Sequence, residues 1–265
     1  RHWFDNHAYK SRLLDAMSTQ FPEGERYFIA CVRDYRGQVQ DPALGERVKD
    51  FIYQEAQHGL AHDRYNAHLS AQGVRVDKID ALVKSNLGFY RRVLPAKVTL
   101  AHTCAIEHFT AILAQALLGQ GAGTHGMHPS MRAMYLWHAV EEIEHKSVAF
   151  DVYQKVAKGG YLLRCLLMLW TTFIFTLVTA LIVRKMLILD GFNFWQRIKL
   201  AWQGQCWLWR KGGLVRVAIP EYLAYFKPGF HPQQLHPHSS FERWRQAWAT
   251  HQNPLIAAQA VPVMA

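Results

Sequence analysis

The stretch Trp137–His145, which reads WHAVEEIEH, is the part of this sequence that indicates the fold. It places three carboxylates and two imidazoles among apolar residues. Glu142 and His145 are three residues apart, so on a helix both side chains project from the same face. Such a pair can offer a carboxylate oxygen and an imidazole nitrogen to one metal ion. The spacing is also common on solvated helices, so its meaning depends on partners elsewhere in the chain.

Long helical segments surround this stretch. Apolar residues recur at helical spacing, and Pro, Gly and Asp residues mark the ends. The four long helices are predicted at about residues 22–36, 42–73, 96–118 and 130–157, after a short leading helix within 1–21. Residues 74–95 are expected to be less regular, because Gly88 and Pro95 interrupt the pattern. These segments predict an all-α fold.

A repeated pattern of acidic residues runs through the four long helices. Each helix offers a Glu, and the second and fourth each carry Glu-x-x-His. This is the ligand pattern of di-iron and di-manganese carboxylate bundles. Four carboxylates balance the charge of two divalent ions, and charged groups are rarely buried unless they are paired or bind metal. The sequence therefore predicts a four-helix bundle whose metal and catalytic ligands are Glu25, Glu55, His58, Glu107, Glu142 and His145.

Other acidic and imidazole side chains lie close to these positions. Glu23 stays an alternative to Glu25, and Glu141 and Glu144 stay alternatives to Glu142. We prefer Glu142 because its spacing to the following His repeats that of the second helix. A metal-bound imidazole needs an acceptor at its other nitrogen. The candidates to hold the ligands in place, some of which could also be further ligands or core residues, are His62, His102, His138 and Glu141.

The C-terminal part of the chain differs in charge and hydropathy. Residues 157–265 carry 12 Lys and Arg against 3 Asp and Glu, whereas residues 1–156 carry 18 against 17. The uncharged segment 165–183 would span roughly 28 Å as a helix, close to the thickness of a bilayer core. Aromatic and basic residues are then interleaved between 192 and 211, as at membrane interfaces. We predict a helical bundle at 1–157 and a membrane-associated region of apolar and amphipathic helices at 158–265.

The apolar segment has other interpretations. It could instead cap the bundle, line a tunnel for an apolar substrate or form a homodimer interface. Nucleic acid is not an expected partner of the basic region, because zinc-finger spacing and a helix-turn-helix pattern are both missing from the sequence. The four cysteines are scattered without a CxxC pair, which is typical of a reducing compartment.

Four motifs carry a resemblance to known proteins. They read FPxGE at 21–25, EAQHG at 55–59, HTxxIEHF at 102–109 and HxxxExEHK at 138–146. With them the sequence resembles the ferritin-like superfamily and, more specifically, the bacterial family of predicted metal-dependent hydrolases, over about residues 20–185. The resemblance implies that the metal residues carry over at these positions. The superfamily implies oxygen or peroxide chemistry at iron, and the family implies hydrolysis.

Three functions remain in view. The preferred one is an O2-activating di-iron oxygenase or hydroxylase that acts on a small hydrophobic or lipid-like substrate, since mixed Glu and His ligation suits Fe(II). The second is a metal-dependent hydrolase with a two-metal site, for which Mn or Zn would also serve. The third is a non-catalytic metal-binding protein. The expected location is the bacterial inner membrane with the bundle in the cytoplasm, and the alternative is a soluble cytoplasmic protein.

Overall fold

The computed structural model of the protein describes residues 1–119 and 123–262. These residues form helices, and no strand occurs among them apart from an isolated antiparallel bridge between Phe4 and Met127. The all-α fold class is therefore confirmed, whereas the ferritin-like four-helix arrangement stays a prediction. The helices are α1 (Ala8–Ser18), α2 (Phe21–Arg36), α3 (Pro42–Ala71), α4 (Val76–Val93), α5 (Ala96–Gly119), α6 (Pro129–His145), α7 (Val148–Asp151), α8 (Tyr161–Leu189), α9 (Phe194–Trp209), α10 (Leu214–Ala224), α11 (Ser239–His251) and α12 (Pro254–Gln259).

The chain divides into two compact units. One consists of Arg12–Glu107 and Ser147–Gly191, and we call it the α3 unit. The other consists of Arg1–Ser11, His108–Lys146 and Phe192–Ala265, and we call it the α6 unit. Each unit therefore carries one of the two helices with a Glu-x-x-His motif. The division at residues 157 and 158 that we expected from the sequence stays a prediction.

In the α3 unit, α2 and α3 pack against each other. The side chain of Asp41 accepts a hydrogen bond from the Ala43 amide at 2.9 Å, and Pro42 occupies the first turn. This is the helix start that the sequence predicts. Buried apolar residues of α3, including Val48 and Phe51, form the core on the same helix that carries the second motif.

The α3 unit corrects one expectation, since residues 76–93 form the continuous helix α4. A Gly inside a helix costs only about 1 kcal/mol, and Gly88 is exposed with open space around its Cα. The Arg91 guanidinium donates to both oxygens of Asp34 at 2.9 and 3.0 Å, which fastens α4 to α2. The helix ends before Pro95, as a proline requires.

A second correction concerns the predicted helix at 130–157. It begins at Pro129 but ends at His145, and α7 and a π-helical turn at Val152–Val156 follow. Arg47 of α3 donates to the Ser147 hydroxyl at 3.3 Å and pairs with Asp151 at 2.9 Å. These side-chain contacts fasten the residues just after the end of α6 to α3, within the α3 unit.

Helix α8 is longer than the apolar segment 165–183. Over Tyr161–Leu189 it has the length and composition to cross a bilayer. Of its most apolar stretch of 18 residues, 28% is buried. By these criteria alone a membrane span and a soluble protein are equally compatible with it. The end of α8 is fixed in the α3 unit, because the Arg12 guanidinium binds both oxygens of Asp190 at 2.7 and 2.8 Å.

The α6 unit contains the last helices of the region 158–265, which we predicted to be helical. The segment after Lys227 reads as a tail rich in Pro and His, yet it forms α11 and α12, which both contact α6. Trp244 and Ala257 are buried there. Helix α9 exposes aromatic rings, with Trp195 at 75% and Trp202 at 70% exposure. The aromatic surface expected between 192 and 211 is thus present on this helix.

Candidate metal centre

The α3 unit gathers three of the predicted ligands at its core. Glu25, Glu55 and His58 are buried, and one ligand atom of each lies within 4.8 Å of those of the other two. On α3 itself, His58 Nδ1 is 3.9 Å from Glu55 Oε1. Two buried carboxylates this close repel each other as anions, and a bound cation would remove that repulsion.

Gly59 explains how the carboxylate from α2 comes so near to α3. A Cβ atom at this position would lie 3.0 Å from Glu25 Oε2, closer than an ordinary contact. The missing side chain therefore leaves room for the carboxylate beside the His58 turn. Carboxylate oxygens and an imidazole nitrogen suit Fe, Mn or Zn, so the donor set and this cradle fit a first-row divalent metal.

Two further residues of the α3 unit lie at the same place. Ligand atoms of Glu55 and Glu107 lie within 4.8 Å of each other, and so do those of Glu25 and His62. Both Glu107 and His62 are fully or almost fully buried. The four ligands that the sequence predicts in this unit are therefore neighbours, and His62 is next to one of them.

Glu23, the alternative to Glu25, has a different environment. Its Oε1 accepts a hydrogen bond at 2.6 Å from Arg26, a residue that is half exposed. Arg26 also pairs with Asp63 at 2.7 Å. Glu23 thus belongs to a surface ion-pair cluster, whereas Glu25 belongs to the buried ligand set.

The ring of His62 has a defined tautomer. Its Nδ1 lies 2.8 Å from Ser18 Oγ, and the Ser18 hydroxyl donates its proton to Asn66 Oδ1 at 2.9 Å. The hydroxyl must therefore accept from Nδ1, so the neutral ring carries its proton there. The Nε2 atom then keeps the lone pair that a metal ligand needs.

The α6 unit holds the second motif. Glu142 Oε1 is 2.9 Å from His138 Nε2 and 3.8 Å from His145 Nε2, and all three side chains are buried. The Thr110 hydroxyl donates to Glu142 Oε2 at 2.5 Å. Burial by itself would raise the pKa of Glu142, but the His138 hydrogen bond and the nearby imidazoles outweigh it and hold the pKa below its ordinary value.

The other carboxylates of α6 have partners of their own. Glu141 accepts a hydrogen bond from Trp137 Nε1 at 2.9 Å, and burial raises the pKa of Glu141 to about 7. Glu144 forms an ion pair with Arg245 at 3.0 Å. These contacts distinguish both residues from Glu142, the carboxylate that lies between the two histidines of the helix.

His102 lies against aromatic side chains of the α3 unit. Its Nδ1 is 3.1 Å from the Tyr27 hydroxyl, which donates to the Thr99 carbonyl at 3.3 Å. Burial lowers the pKa of His102 to about 4 and raises the pKa of Tyr27. His102 is therefore a neutral core residue at pH 7, and a role in holding metal ligands stays a prediction.

Sequence reasoning missed three residues around these ligands, namely Ser18, Gly59 and Thr110. Thr110 follows Glu107 by three residues, so the helical period could have placed it on the ligand face. Gly59 stands directly after His58, where a small residue could have been read as room for a neighbouring carboxylate. Ser18 precedes α2, and its pairing with His62 joins residues 44 apart, which local spacing cannot reveal.

Comparison with known proteins gives one match. No curated protein and no solved structure matches the chain. A family model described as "predicted metal-dependent hydrolase" matches residues 1–236, which include every predicted ligand. This description favours hydrolysis over the oxygenase chemistry that we preferred from the ligand pattern. The chain belongs to the family of predicted metal-dependent hydrolases.

Proposed function

We propose that the protein is a hydrolase that depends on a divalent metal held by the buried Glu and His side chains. The observation that carries this proposal is the close grouping of Glu25, Glu55 and His58 at the core of the α3 unit of a chain in this family. A buried group of anions has no structural benefit of its own, because burial of charge is costly without a counter-ion.

The full ligand set in this proposal is the one that the sequence pattern predicts for two ions. It comprises Glu25, Glu55, His58, Glu107, Glu142 and His145. The pairing of a Glu with Glu-x-x-His, found twice in the chain, supports a two-metal site. The donor chemistry is compatible with Fe, Mn and Zn, and metal analysis is needed to choose among them.

In the proposed reaction, the ligands hold the metal, and neighbouring side chains hold the ligands in place. When bound, a divalent ion at these ligands would lower the pKa of a water molecule and polarise the bond to be cleaved. Thr110 and His138 fix the orientation of the Glu142 carboxylate. Glu142 would therefore lose less conformational entropy when it binds the metal. Ser18 fixes the tautomer of His62 in the same way. The apolar core around these groups keeps bulk water away and strengthens their electrostatic effect.

A di-iron oxygenase of the ferritin-like type is the second candidate. The order Glu, Glu-x-x-His, Glu, Glu-x-x-His along the chain favours it, because this is the pattern of carboxylate di-iron bundles. Its substrate would be small and hydrophobic or lipid-like, and O2 would be consumed. A non-catalytic metal-binding protein is disfavoured, since residues 157–265 exceed what a storage bundle needs.

Location at the bacterial inner membrane is part of the proposal. The support is the length, composition and exposure of α8. The alternative is a soluble protein in which α8 forms a homodimer interface.

The experiment combines metal analysis with an activity screen. The purified chain would be freed of metal, reloaded with Mn, Zn or Fe(II), and assayed on chromogenic carboxylic and phosphoric esters with and without O2. We expect hydrolysis that is lost with a chelator, restored by metal and indifferent to O2. Consumption of O2 by the ferrous protein together with substrate oxidation would favour the second candidate. A protein that retains no metal would contradict both.

The matched control is another Glu on the same helix. Glu55→Gln removes a proposed ligand charge, whereas Glu46→Gln removes an exposed carboxylate of α3 that pairs only locally with Lys49. We expect the first variant to lose metal and activity and the second to keep both.

A further inference from the structure

Helix α8 has one face that is apolar and exposed along its whole length. The exposed positions recur at intervals of three and four residues, so they lie on one side of the helix. Their exposure ranges from 43% to 73% for the large apolar side chains Leu162, Leu166, Leu169, Trp170, Phe173, Leu177, Leu181 and Ile188. A continuous apolar face of this size indicates an interaction surface.

The opposite face of α8 is fixed in the α3 unit from end to end. Near its start, Arg164 is only 3% exposed and its guanidinium lies 5.3 Å from the centre of the Phe150 ring. In the middle, Thr179 accepts a hydrogen bond from Gln20 at 3.0 Å. At its end, Arg12 holds Asp190.

These contacts argue against α8 as a membrane span. No other helix among the described residues is long and apolar enough to cross a bilayer with it, so to become a span α8 would have to leave the α3 unit. That would expose the buried Arg164 to hydrocarbon and separate the buried pair of Arg12 and Asp190, both of which are costly. The helix can meet lipid on its exposed face without breaking either contact.

Charge on the exposed face indicates which surface it meets. Arg184 and Lys185 are both exposed near the C-terminal end of α8, Arg184 within that face and Lys185 at its edge. Residues 159–189 contain no Asp or Glu. A second copy of α8 would therefore bring no carboxylate to these cations, whereas anionic lipid headgroups would. A bilayer with anionic lipids complements both the apolar and the basic part of this face.

We propose that the exposed face of α8 is a docking surface for an anionic bilayer, and that the helix lies along the membrane plane without crossing it. The apolar side chains enter the boundary between headgroups and acyl chains, and Arg184 and Lys185 bind lipid phosphates. This inference rests on the membrane location proposed above and is independent of the metal chemistry.

Vesicle flotation tests the docking face. The full chain would be mixed with vesicles of phosphatidylcholine and phosphatidylglycerol, and the double variant Leu166→Gln, Phe173→Gln compared with Leu82→Gln, Phe89→Gln. The control pair has similar exposure, at 51% and 52%, but lies on α4. We expect the α8 variant to bind at least about tenfold more weakly and the control to bind like the unmodified chain.

A charge variant tests the lipid class. Each basic residue near an anionic surface contributes about 1 kcal/mol, or about fivefold in binding. Arg184→Gln together with Lys185→Gln should therefore weaken binding to the anionic vesicles by about 25-fold. Binding to pure phosphatidylcholine should change little. An equal loss on both vesicle types would contradict the role of the two cations.

Depth measurement separates docking from crossing. A fluorophore would be attached at Leu166→Cys, Phe173→Cys or Leu181→Cys, in a chain with Cys165→Ser and Cys206→Ser, and quenched by lipids labelled at known depths. We expect the same shallow depth at all three positions. A deep central position between shallower ends would show a span, and stable dimers that ignore vesicles would assign the face to a second copy. Either result would overturn the proposal.

Metal content of the same variants keeps the two proposals apart. We expect it to equal that of the unmodified chain, because the altered positions lie outside the ligand set. A chain that binds metal but no vesicles would refute the docking face alone. A chain that floats with vesicles but holds no metal would refute the proposed function alone.

Discussion

Helices α3 and α6 carry the same Glu-x-x-His motif in different surroundings. In both helices the carboxylate lies near the imidazole three residues on: Glu55 Oε1 is 3.9 Å from His58 Nδ1, and Glu142 Oε1 is 3.8 Å from the other ring nitrogen, Nε2, of His145. Within the α3 unit, Glu25 and Glu107 lie near the motif pair, and within the α6 unit, Thr110 and His138 hold the Glu142 carboxylate. The Glu-x-x-His spacing therefore brings a carboxylate and an imidazole together on each helix. The residues around each pair determine how it contributes to metal binding. We expect the ligands of the α3 unit to contribute more to metal affinity than Glu142 and His145 of the α6 unit.

The largest effect should come from a carboxylate at the centre of the α3 unit. Glu55→Gln keeps the shape of the side chain but removes the charge that a cation would balance. We expect metal affinity to fall by more than about 100-fold, the upper range for residues that only support ligands. Isothermal titration with Mn or Zn measures it, and Glu46→Gln serves as the control. Equal affinity in the two variants would remove Glu55 from the ligand set.

The next effect should come from the space beside His58. In Gly59→Ala, the new Cβ would meet Glu25 Oε2 at 3.0 Å and push that carboxylate aside by a few tenths of an ångström. We expect metal affinity to fall by roughly 10- to 100-fold, as for other changes that misplace ligands. The same titration measures it.

Gly45→Ala is the control for that variant, because Gly45 lies on α3 with open space around its Cα. It should leave metal affinity unchanged and raise the free energy of unfolding by about 1 kcal/mol, the helix propensity gain of Ala over Gly. If both Ala variants bind metal alike, the cradle at Gly59 has no role in metal binding.

A smaller effect is expected in the α6 unit. Thr110→Val removes the hydroxyl that donates to Glu142 while keeping the branched shape, so the carboxylate loses one of its fixed partners. We expect metal affinity and turnover to fall by about tenfold, and Thr110→Ser to restore both. If Thr110→Val bound metal more weakly than Glu55→Gln does, the ranking of the two units would be reversed.

The last effect concerns folding and not metal. The pKa of His102 is lowered to about 4 in the folded protein, so between pH 6.5 and 4 the unfolded chain binds a proton that the folded chain does not. The contribution of His102 to the free energy of unfolding should be fully present above pH 6.5. It should decrease as the pH falls toward 4, by up to about 3 kcal/mol.

Urea unfolding of the metal-free protein at several pH values measures this dependence. His102→Gln should have a shallower slope between pH 6.5 and 4, because its side chain does not titrate. Identical slopes for the two proteins would mean that His102 is as easily protonated in the folded state as in the unfolded state.

The parts of the fold that follow local rules could be predicted from the sequence. Pro22 and the Asp41–Pro42 pair mark helix starts, and the Glu-x-x-His spacing brings each motif pair to one helix face. What failed depended on tertiary contacts. Gly88 lies within α4, which the contact of Arg91 with Asp34 fastens to α2, and the break after His145 coincides with the contacts of Arg47.

The candidate site shows the same limit. The motif residues were found because they are close in sequence, and their burial was expected from the apolar residues between them. The partners of those residues lie far away along the chain, as Ser18 does from His62 and Thr110 from Glu142. The side chains on α11 and α12 that pack on α6 are equally remote from it along the chain.

Metal analysis of the purified chain tests the central claim most directly. The unmodified protein, Glu55→Gln and Glu142→Gln would be exchanged into metal-free buffer, and bound Fe, Mn and Zn measured by mass spectrometry against protein concentration. We predict about two ions per chain in the unmodified protein. Glu55→Gln should lose nearly all of them and Glu142→Gln should retain more. No retained metal in the unmodified chain, or equal content in all three proteins, would contradict the account.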